Sequence, residues 1–131
     1  MFSIVVGIVW LGVSFALMYL RIEPFATEFY LFAWIGLIYT VDMLIRRAEG
    51  SSLVIRCGAG FFLLLLWSTT GWFFFELLNL RLQNWYYIFV TDRDLLRLVG
   101  SFVAFATVFP GIFWIDHFLG VWGVAAQVRS V

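Results

Sequence analysis

Four long apolar stretches set the strongest limit on how this chain can fold. They cover about residues 2–20, 28–45, 57–78 and 95–122, and few charged side chains interrupt them. A helix needs about 20 mainly apolar residues to cross the hydrocarbon core of a bilayer, so each stretch is long enough for one crossing. We expect an all-α integral membrane bundle of four transmembrane helices that forms one domain over residues 1–131. Residues 80–94 are polar and aromatic, and we expect them to lie at the membrane surface.

The composition supports this interpretation and excludes other classes of protein. Hydrophobic residues make up 64% of the chain and charged residues 12%, which is more apolar surface than one small soluble core can bury. The eight basic residues are all arginines and balance eight acidic residues, so we expect no nucleic-acid partner. The first apolar stretch has neither a basic segment before it nor a small-residue cleavage site, which predicts a retained helix rather than a signal peptide.

The segment FELLNLRLQNWYY, residues 75–87, begins where the third apolar stretch ends and is rich in polar side chains. Counting about 1.5 Å per residue from Arg56 places Glu76 near the far edge of the hydrocarbon. The segment is therefore predicted to be the end of a helix that leaves the bilayer, followed by an aromatic belt at the interface. We call this membrane surface the Glu76 side and the other one the Arg56 side.

Glu76, Asn79 and Gln83 recur at a spacing of three and four residues, so a helix would place them on one face. That face could hydrogen-bond a lipid headgroup, a quinone ring or a partner helix. Alternatively, Glu76 could pair with an arginine and only lock the helix ends; the candidates are Arg21, Arg81 and Arg97. The residues that we expect to contact a ligand or a partner are Glu76, Asn79, Arg81, Gln83, Asn84 and Trp85.

A second group of polar residues is predicted at the Arg56 side. His117 could ligate the metal of a pigment or a haem through an imidazole nitrogen, although a lone histidine beside apolar residues is more often a packing or hydrogen-bonding residue. Asp116 precedes it, but adjacent helical side chains point about 100° apart. Asp42 lies four residues before Arg46, which predicts a structural ion pair along one helix.

The fourth apolar stretch carries a stripe of small residues and a proline. Gly100, Ala104, Thr107 and Gly111 recur at a spacing of three and four, a pattern that lets another helix approach closely. The partner helix could belong to this chain or to another protein. Pro110 predicts a kink or local unwinding of the helix, and Thr91 is the predicted cap at its start.

No complete catalytic set is present in the sequence. The third stretch contains hydroxyl side chains, but the single histidine is predicted at the opposite membrane surface, so a catalytic serine would lack its base. Cys57 is the only cysteine, and no metal-binding or phosphate-binding motif occurs. We therefore nominate no catalytic residue and no metal site.

Two quoted segments carry a resemblance to a known kind of protein. WFFFELLNLRLQNWYY, preceded by an arginine-rich loop and followed by FATVFPGIF, resembles the amino-terminal half of a longer, uncharacterised family of bacterial integral membrane proteins. The resemblance covers about residues 42–113, and the pattern FELxNLRLxNWYY is its most specific part. It implies a multi-pass protein of a bacterial inner membrane, and it implies no reaction. The segment FWIDHFLG departs from the more acidic helix end that the resemblance would suggest.

Together these patterns favour a small accessory subunit of a larger membrane complex, respiratory or photosynthetic in kind. Its aromatic surface would pack against lipids, pigments or helices of other membrane subunits, and a pigment or a lipid is the expected bound group. A membrane enzyme that acts on a lipid or an isoprenoid, with Glu76 at the interface, is the first alternative. A small transporter or proton-conducting protein is the second.

Overall fold

The computed structural model describes residues 2–88 and 93–124, and all regular structure in them is helical. The helices are α1 (Phe2–Tyr19), α2 (Phe29–Glu49), α3 (Leu53–Cys57), α4 (Ala59–Leu82) and α5 (Asp94–Val121). All but the short α3 are long and apolar enough to cross a membrane. The all-α fold with four candidate membrane spans is thus confirmed, and it makes the chain a multi-pass membrane protein.

The helix boundaries differ from those predicted at the Arg56 side. Helix α2 continues to Glu49, and Gly50 ends it with a positive φ of 82°, a conformation that glycine adopts without steric cost. Arg46 and Arg47 therefore belong to the last turn of α2, where cations interact favourably with the helix dipole. The short helix α3 was not predicted; Ser52 caps it by accepting a hydrogen bond from Ile55 N at 3.2 Å.

The long helices form a row in the order α1, α2, α5, α4. Helix α1 packs on α2, α2 packs on α5, and α5 packs on α4. Helices α2 and α5 are the second and fourth spans and run in the same direction. Glu28 contacts Gly100 near the beginnings of the two helices, Trp34 contacts Thr107 near their middles, and Asp42 contacts Trp114 near their ends. Helices α1 and α4 thus lie at the two edges of the layer.

Glycine lets α1 and α2 approach each other closely. A Cβ atom on Gly36 would lie 2.5 Å from the Trp10 ring, and one on Gly7 would overlap the Thr40 hydroxyl. Trp10 also donates a hydrogen bond from Nε1 to Phe32 O at 2.9 Å. Small residues at such a crossing are the usual means by which membrane helices pack, because lipid provides no hydrophobic driving force between them.

A buried hydroxyl joins α4 to α5 beside Pro110. Ser68 is fully buried; its hydroxyl donates to Phe105 O and accepts from Phe109 N at 3.0 Å. In a regular helix these two backbone groups hydrogen-bond to each other. Here the serine hydroxyl bonds to both of them, one residue before the proline. Helix α5 is continuous from Asp94 to Val121, so the local unwinding that was one of the two effects predicted for Pro110 does not occur, and the kink stays a prediction. Thr91 lies outside the described residues, as do residues 89–92 of the predicted interfacial segment.

The buried core is small and lies where α2, α4 and α5 meet. Its apolar side chains among the described residues are Val41, Ile45, Phe105, Val108 and Trp114. Large apolar side chains on every long helix are instead exposed. A bilayer can solvate such side chains, so most of the apolar surface is placed to contact lipid or another protein.

Candidate functional site

The Glu76 carboxylate holds the aromatic segment that follows α4. Trp85 Nε1 donates a hydrogen bond to Glu76 Oε1 at 3.1 Å, and the Tyr87 hydroxyl donates to the same oxygen. Among the described residues Glu76 makes no ion pair. The predicted pairing with an arginine is therefore wrong, and the partners of Glu76 are neutral aromatic side chains.

Asn79 fixes the turn between α4 and these aromatic residues. Its Oδ1 accepts hydrogen bonds from Asn84 N at 2.9 Å and Trp85 N at 3.2 Å, and its Nδ2 donates to Trp85 O at 2.9 Å. Glu76 and Asn79 lie one turn apart on α4, so the chain folds back over a single helical face. Of the predicted contact residues, Glu76, Asn79, Asn84 and Trp85 do lie together.

Gln83 and Arg81 do not join this group. Helix α4 ends at Leu82, and Gln83 has a left-handed backbone with φ 50° and ψ 41°. It therefore leaves the helical face on which the spacing had placed it, and that part of the prediction is wrong. Both side chains are exposed, which leaves them free to meet water or lipid headgroups.

Tyr87 was not among the predicted site residues. Burial raises the pKa of its hydroxyl above the ordinary value, and the hydrogen bond that it donates to the Glu76 carboxylate raises the pKa further. Tyr87 is therefore a neutral hydrogen-bond donor at physiological pH. The sequence signal for it was only its position in the aromatic run.

A cleft of about 570 Å³ opens beside this segment on the Glu76 side. Its walls come from the beginning of α2, from α4, from the first half of α5 and from the segment after α4. Trp72, Ala104, Phe105 and Val108 form apolar walls, whereas Thr27, Glu28, Arg97 and Ser101 supply polar groups. Sequence reasoning missed this cleft because its walls come from segments far apart in the chain.

Glu28 contributes the carboxylate of the cleft. It is the residue before α2, yet its side chain makes no capping hydrogen bond. Its Oε2 instead lies 3.3 Å from the position that a Cβ atom on Gly100 would occupy. Glycine at this point of α5 thus leaves space for the carboxylate against the helix backbone.

The predicted stripe of small residues on α5 packs against α2 of the same chain. Trp34 donates from Nε1 to Thr107 O at 2.9 Å, and a Cβ atom on Gly111 would lie 2.5 Å from the Trp34 ring. Gly100 faces Glu28, and both Gly100 and Ala104 line the cleft. Of the two predicted partners for the stripe, the structure shows a helix within this chain.

At the Arg56 side, His117 lies in a charged cluster. Its Nε2 is 3.0 Å from Glu49 Oε2 and 3.3 Å from Arg56 Nη2, and Arg56 also pairs with Glu49 at 2.5 Å. This nitrogen can donate to the carboxylate or accept from the guanidinium, depending on where the ring proton lies. A pigment or haem metal would have to displace these contacts to bind Nε2. Asp116 is exposed and takes no part in the cluster.

Asp42 has different partners from the predicted one. Its Oδ1 accepts hydrogen bonds from Leu53 N at 2.8 Å and from Trp114 Nε1 at 2.9 Å, and the residue is 4% exposed. The predicted ion pair with Arg46 does not form, because Asp42 faces the core whereas Arg46 is exposed. Asp42 thus ties α2 to both α3 and α5.

Two further observations concern metal ligands and known proteins. No group of three or more metal-ligating side chains occurs within residues 2–88 and 93–124. Comparisons of the chain with protein-family models, with curated proteins and with solved structures found no match. The resemblance described above stays a prediction.

Proposed function

We propose that this protein is a small accessory subunit of a larger membrane complex in a bacterial inner membrane. The observation that carries the proposal is the row of helices, in which α1 packs mainly on α2 and α4 mainly on α5. These two edge helices have few packing partners within the chain, and the buried core is small. Both edges of the row present large apolar side chains, such as Ile8 at 57% and Leu66 at 64% exposure. Helices of other subunits can pack against such edges without disturbing the rest of the fold.

The internal contacts support a structural role for most of the polar side chains. Asp42, Ser68 and Asn79 each hold segments of the backbone together. The Glu49, Arg56 and His117 cluster ties α2, α3 and α5 together at one surface. These groups are therefore occupied in maintaining the layer and are not arranged as a nucleophile with its base.

Gentle extraction tests this proposal. The protein, tagged and expressed at its native level, is solubilised in a mild detergent and separated by native electrophoresis followed by mass spectrometry. We expect it to migrate with a larger assembly and with defined partner polypeptides. Migration as a lone chain or as a small homo-oligomer would reject the subunit role. The exposed variant Asp116→Asn provides a control that should migrate like the wild type.

One observation favours a second candidate, a membrane enzyme that acts on a lipid or an isoprenoid. The cleft on the Glu76 side has an apolar wall and a carboxylate, and Tyr87 belongs both to the cleft and to the Glu76 hydrogen bonds. This function predicts that Glu76→Ala changes the lipid or carotenoid profile of the cell. An unchanged profile in cells that contain the folded variant would remove this candidate.

The transporter alternative needs a connected polar path between Glu76 and Asp116. Neither residue lines the cleft, and they lie near opposite ends of the helical layer. A proton-flux assay on liposomes tests this function: a leak above that of empty vesicles would support it, and its absence would eliminate it.

A further inference from the structure

The cleft on the Glu76 side is lined by residues of α2, α4 and α5 and of the segment after α4. Helices α2 and α4 both pack on α5. At the Arg56 side, α3 contacts both α2 and α4 and bridges them. At the Glu76 side, the edge of the cleft is instead formed by Tyr86, Tyr87 and Ile88 of the segment after α4. Because aromatic residues are enriched at membrane interfaces, we expect the cleft to lie at the depth where lipid headgroups meet acyl chains.

The inner walls of the cleft are apolar and aromatic. Trp72 and Phe105 pack with ring centroids 5.8 Å apart, and Ala104 and Val108 continue the surface along α5. The volume of about 570 Å³ falls within the range of pockets that bind small molecules, about 300–1,000 Å³. This part of the cleft suits a hydrocarbon chain.

The Glu28 carboxylate gives the cleft a negative charge. The residue is half-buried, its side chain makes no hydrogen bond that caps α2, and no ion pair among the described residues involves it. A carboxylate withdrawn from water is stabilised when a cation or a hydrogen-bond donor compensates it. The rings of Tyr30, Tyr86, Tyr87 and Trp72 also line the cleft, and aromatic faces attract organic cations.

Arg97 gives the cleft a positive group as well. Its Nη2 donates to Asp94 Oδ1 at 2.6 Å, which leaves other N–H groups of the guanidinium available, since the group carries five. Arginine binds phosphate well because several of its N–H groups can reach the same anion. The cleft thus combines an acceptor for a cation with a donor for an anion, above an apolar wall.

We propose that this cleft binds a phospholipid whose headgroup carries an ammonium group. Glu28 and the aromatic rings receive the ammonium, Arg97 contacts the phosphate, and an acyl chain lies along Phe105 and Val108. This inference goes beyond the subunit role and does not depend on it, because the site is complete within one chain.

Native mass spectrometry of the purified full chain tests the proposal. The protein in mild detergent is titrated separately with dioleoyl-phosphatidylethanolamine and with dioleoyl-phosphatidylglycerol, which share a phosphate and acyl chains but differ in the ammonium. We expect the ethanolamine lipid to bind about tenfold more tightly, the scale of a partly desolvated cation contact. Equal binding of the two lipids, or preference for the glycerol lipid, would overturn the proposal.

Three variants assign the binding to the cleft. Glu28→Gln keeps the shape of the side chain and should remove the preference for the ethanolamine lipid. Arg97→Gln should weaken the binding of both lipids to a similar extent, because both carry phosphate. Asp116→Asn, an exposed carboxylate change at the other membrane surface, should change neither. Retention of the preference in Glu28→Gln would contradict the assignment.

A fourth variant keeps the test decisive if Glu28→Gln does not fold. Gly100→Leu places side-chain atoms next to the Glu28 carboxylate and inside the cleft, so it should reduce the binding of both lipids. Far-UV circular dichroism checks that each variant keeps its helices. Folded Gly100→Leu that binds both lipids as the wild type does would locate the lipid elsewhere and overturn the proposal. Failure of these titrations would leave the subunit proposal untouched, since that proposal is tested by co-extraction.

Discussion

Replacing Asp42 by leucine should destabilise the protein more than any conservative change at the same position. The change removes the one oxygen that accepts hydrogen bonds from both Leu53 N and Trp114 Nε1. Leucine cannot accept either bond, and the Trp114 side chain is 2% exposed, so water cannot readily replace the lost acceptor. Each unsatisfied buried donor costs about 1–3 kcal/mol, so the expected loss is about 2–6 kcal/mol.

Asp42→Asn provides the matched comparison, because asparagine keeps an oxygen of similar position and can accept both bonds. We expect it to cost about 1 kcal/mol or less, the difference between charged and neutral acceptors at one site. The free energy of unfolding is measured by titrating sodium dodecyl sulfate into mixed micelles and following helicity by far-UV circular dichroism. The exposed variant Asp116→Asn should stay within about 0.5 kcal/mol of the wild type.

A double-mutant cycle separates the bond to Trp114 from other effects of the change. Trp114→Phe removes the indole donor, so adding Asp42→Leu to it should cost less than adding Asp42→Leu to the wild type. We expect a coupling free energy of about 1 kcal/mol, since contacting residues couple by about 0.5–3 kcal/mol. Additive effects of the two changes, or equal costs for Asp42→Leu and Asp42→Asn, would refute the role given to this carboxylate.

Three further changes test other contacts. Gly111→Leu should destabilise the packing of α5 on α2 by more than about 2 kcal/mol, because a side chain there overlaps the Trp34 ring. The control is Gly12→Leu, at a position with open space around it. Equal stability of both variants in the same titration would contradict the contact. Glu76→Gln should retain the fold and the protease resistance of the segment after α4, because glutamine still accepts hydrogen bonds from the aromatic donors. Glu76→Leu should make that segment cleavable by protease. Identical cleavage of the two variants would argue against the contact. Ser68→Ala should cost about 1–2 kcal/mol, because it removes both hydrogen bonds of the bridge to α5 and each bond between membrane helices is worth about 0.6 kcal/mol on average. Stability equal to that of the wild type in the same titration would contradict the bridge.

The membrane-spanning helices could be predicted because their signal lies within single stretches of sequence. Length and hydropathy identify a crossing without reference to any other part of the chain. The small-residue stripe on α5 was likewise recognisable from its spacing. Its partner was left open, because spacing does not say which helix fills the groove; the answer is Trp34 of α2.

The partners of the acidic residues could not be read from local spacing. Asp42 lies four residues before Arg46, but it faces the core, where the first N–H group of α3 and the Trp114 indole need an acceptor. N–H groups at helix ends and on buried side chains require hydrogen-bond acceptors. Tertiary packing alone determines which side chain supplies the acceptor. The place of Glu28 in the cleft could not be predicted for the same reason, since only the fold places its carboxylate against Gly100.

The end of α4 illustrates a local effect that sequence spacing misjudged. Residues at a spacing of three and four share a face only while the helix lasts. Asn79 ends the helix by bonding to the backbone of Asn84 and Trp85, an option that asparagine side chains often take. Gln83 then adopts a left-handed conformation, and its side chain leaves the face that carries Glu76.

Photo-crosslinking in the intact membrane tests the central claim, the subunit role, most directly, because it needs no detergent. A photoreactive amino acid is placed at Ile8 on α1 or at Leu66 on α4, both exposed at the edges of the helical row. We predict that at least one position forms a covalent adduct with a different polypeptide in the native membrane. Adducts only with lipid or with other copies of this chain, at both positions, would contradict the account.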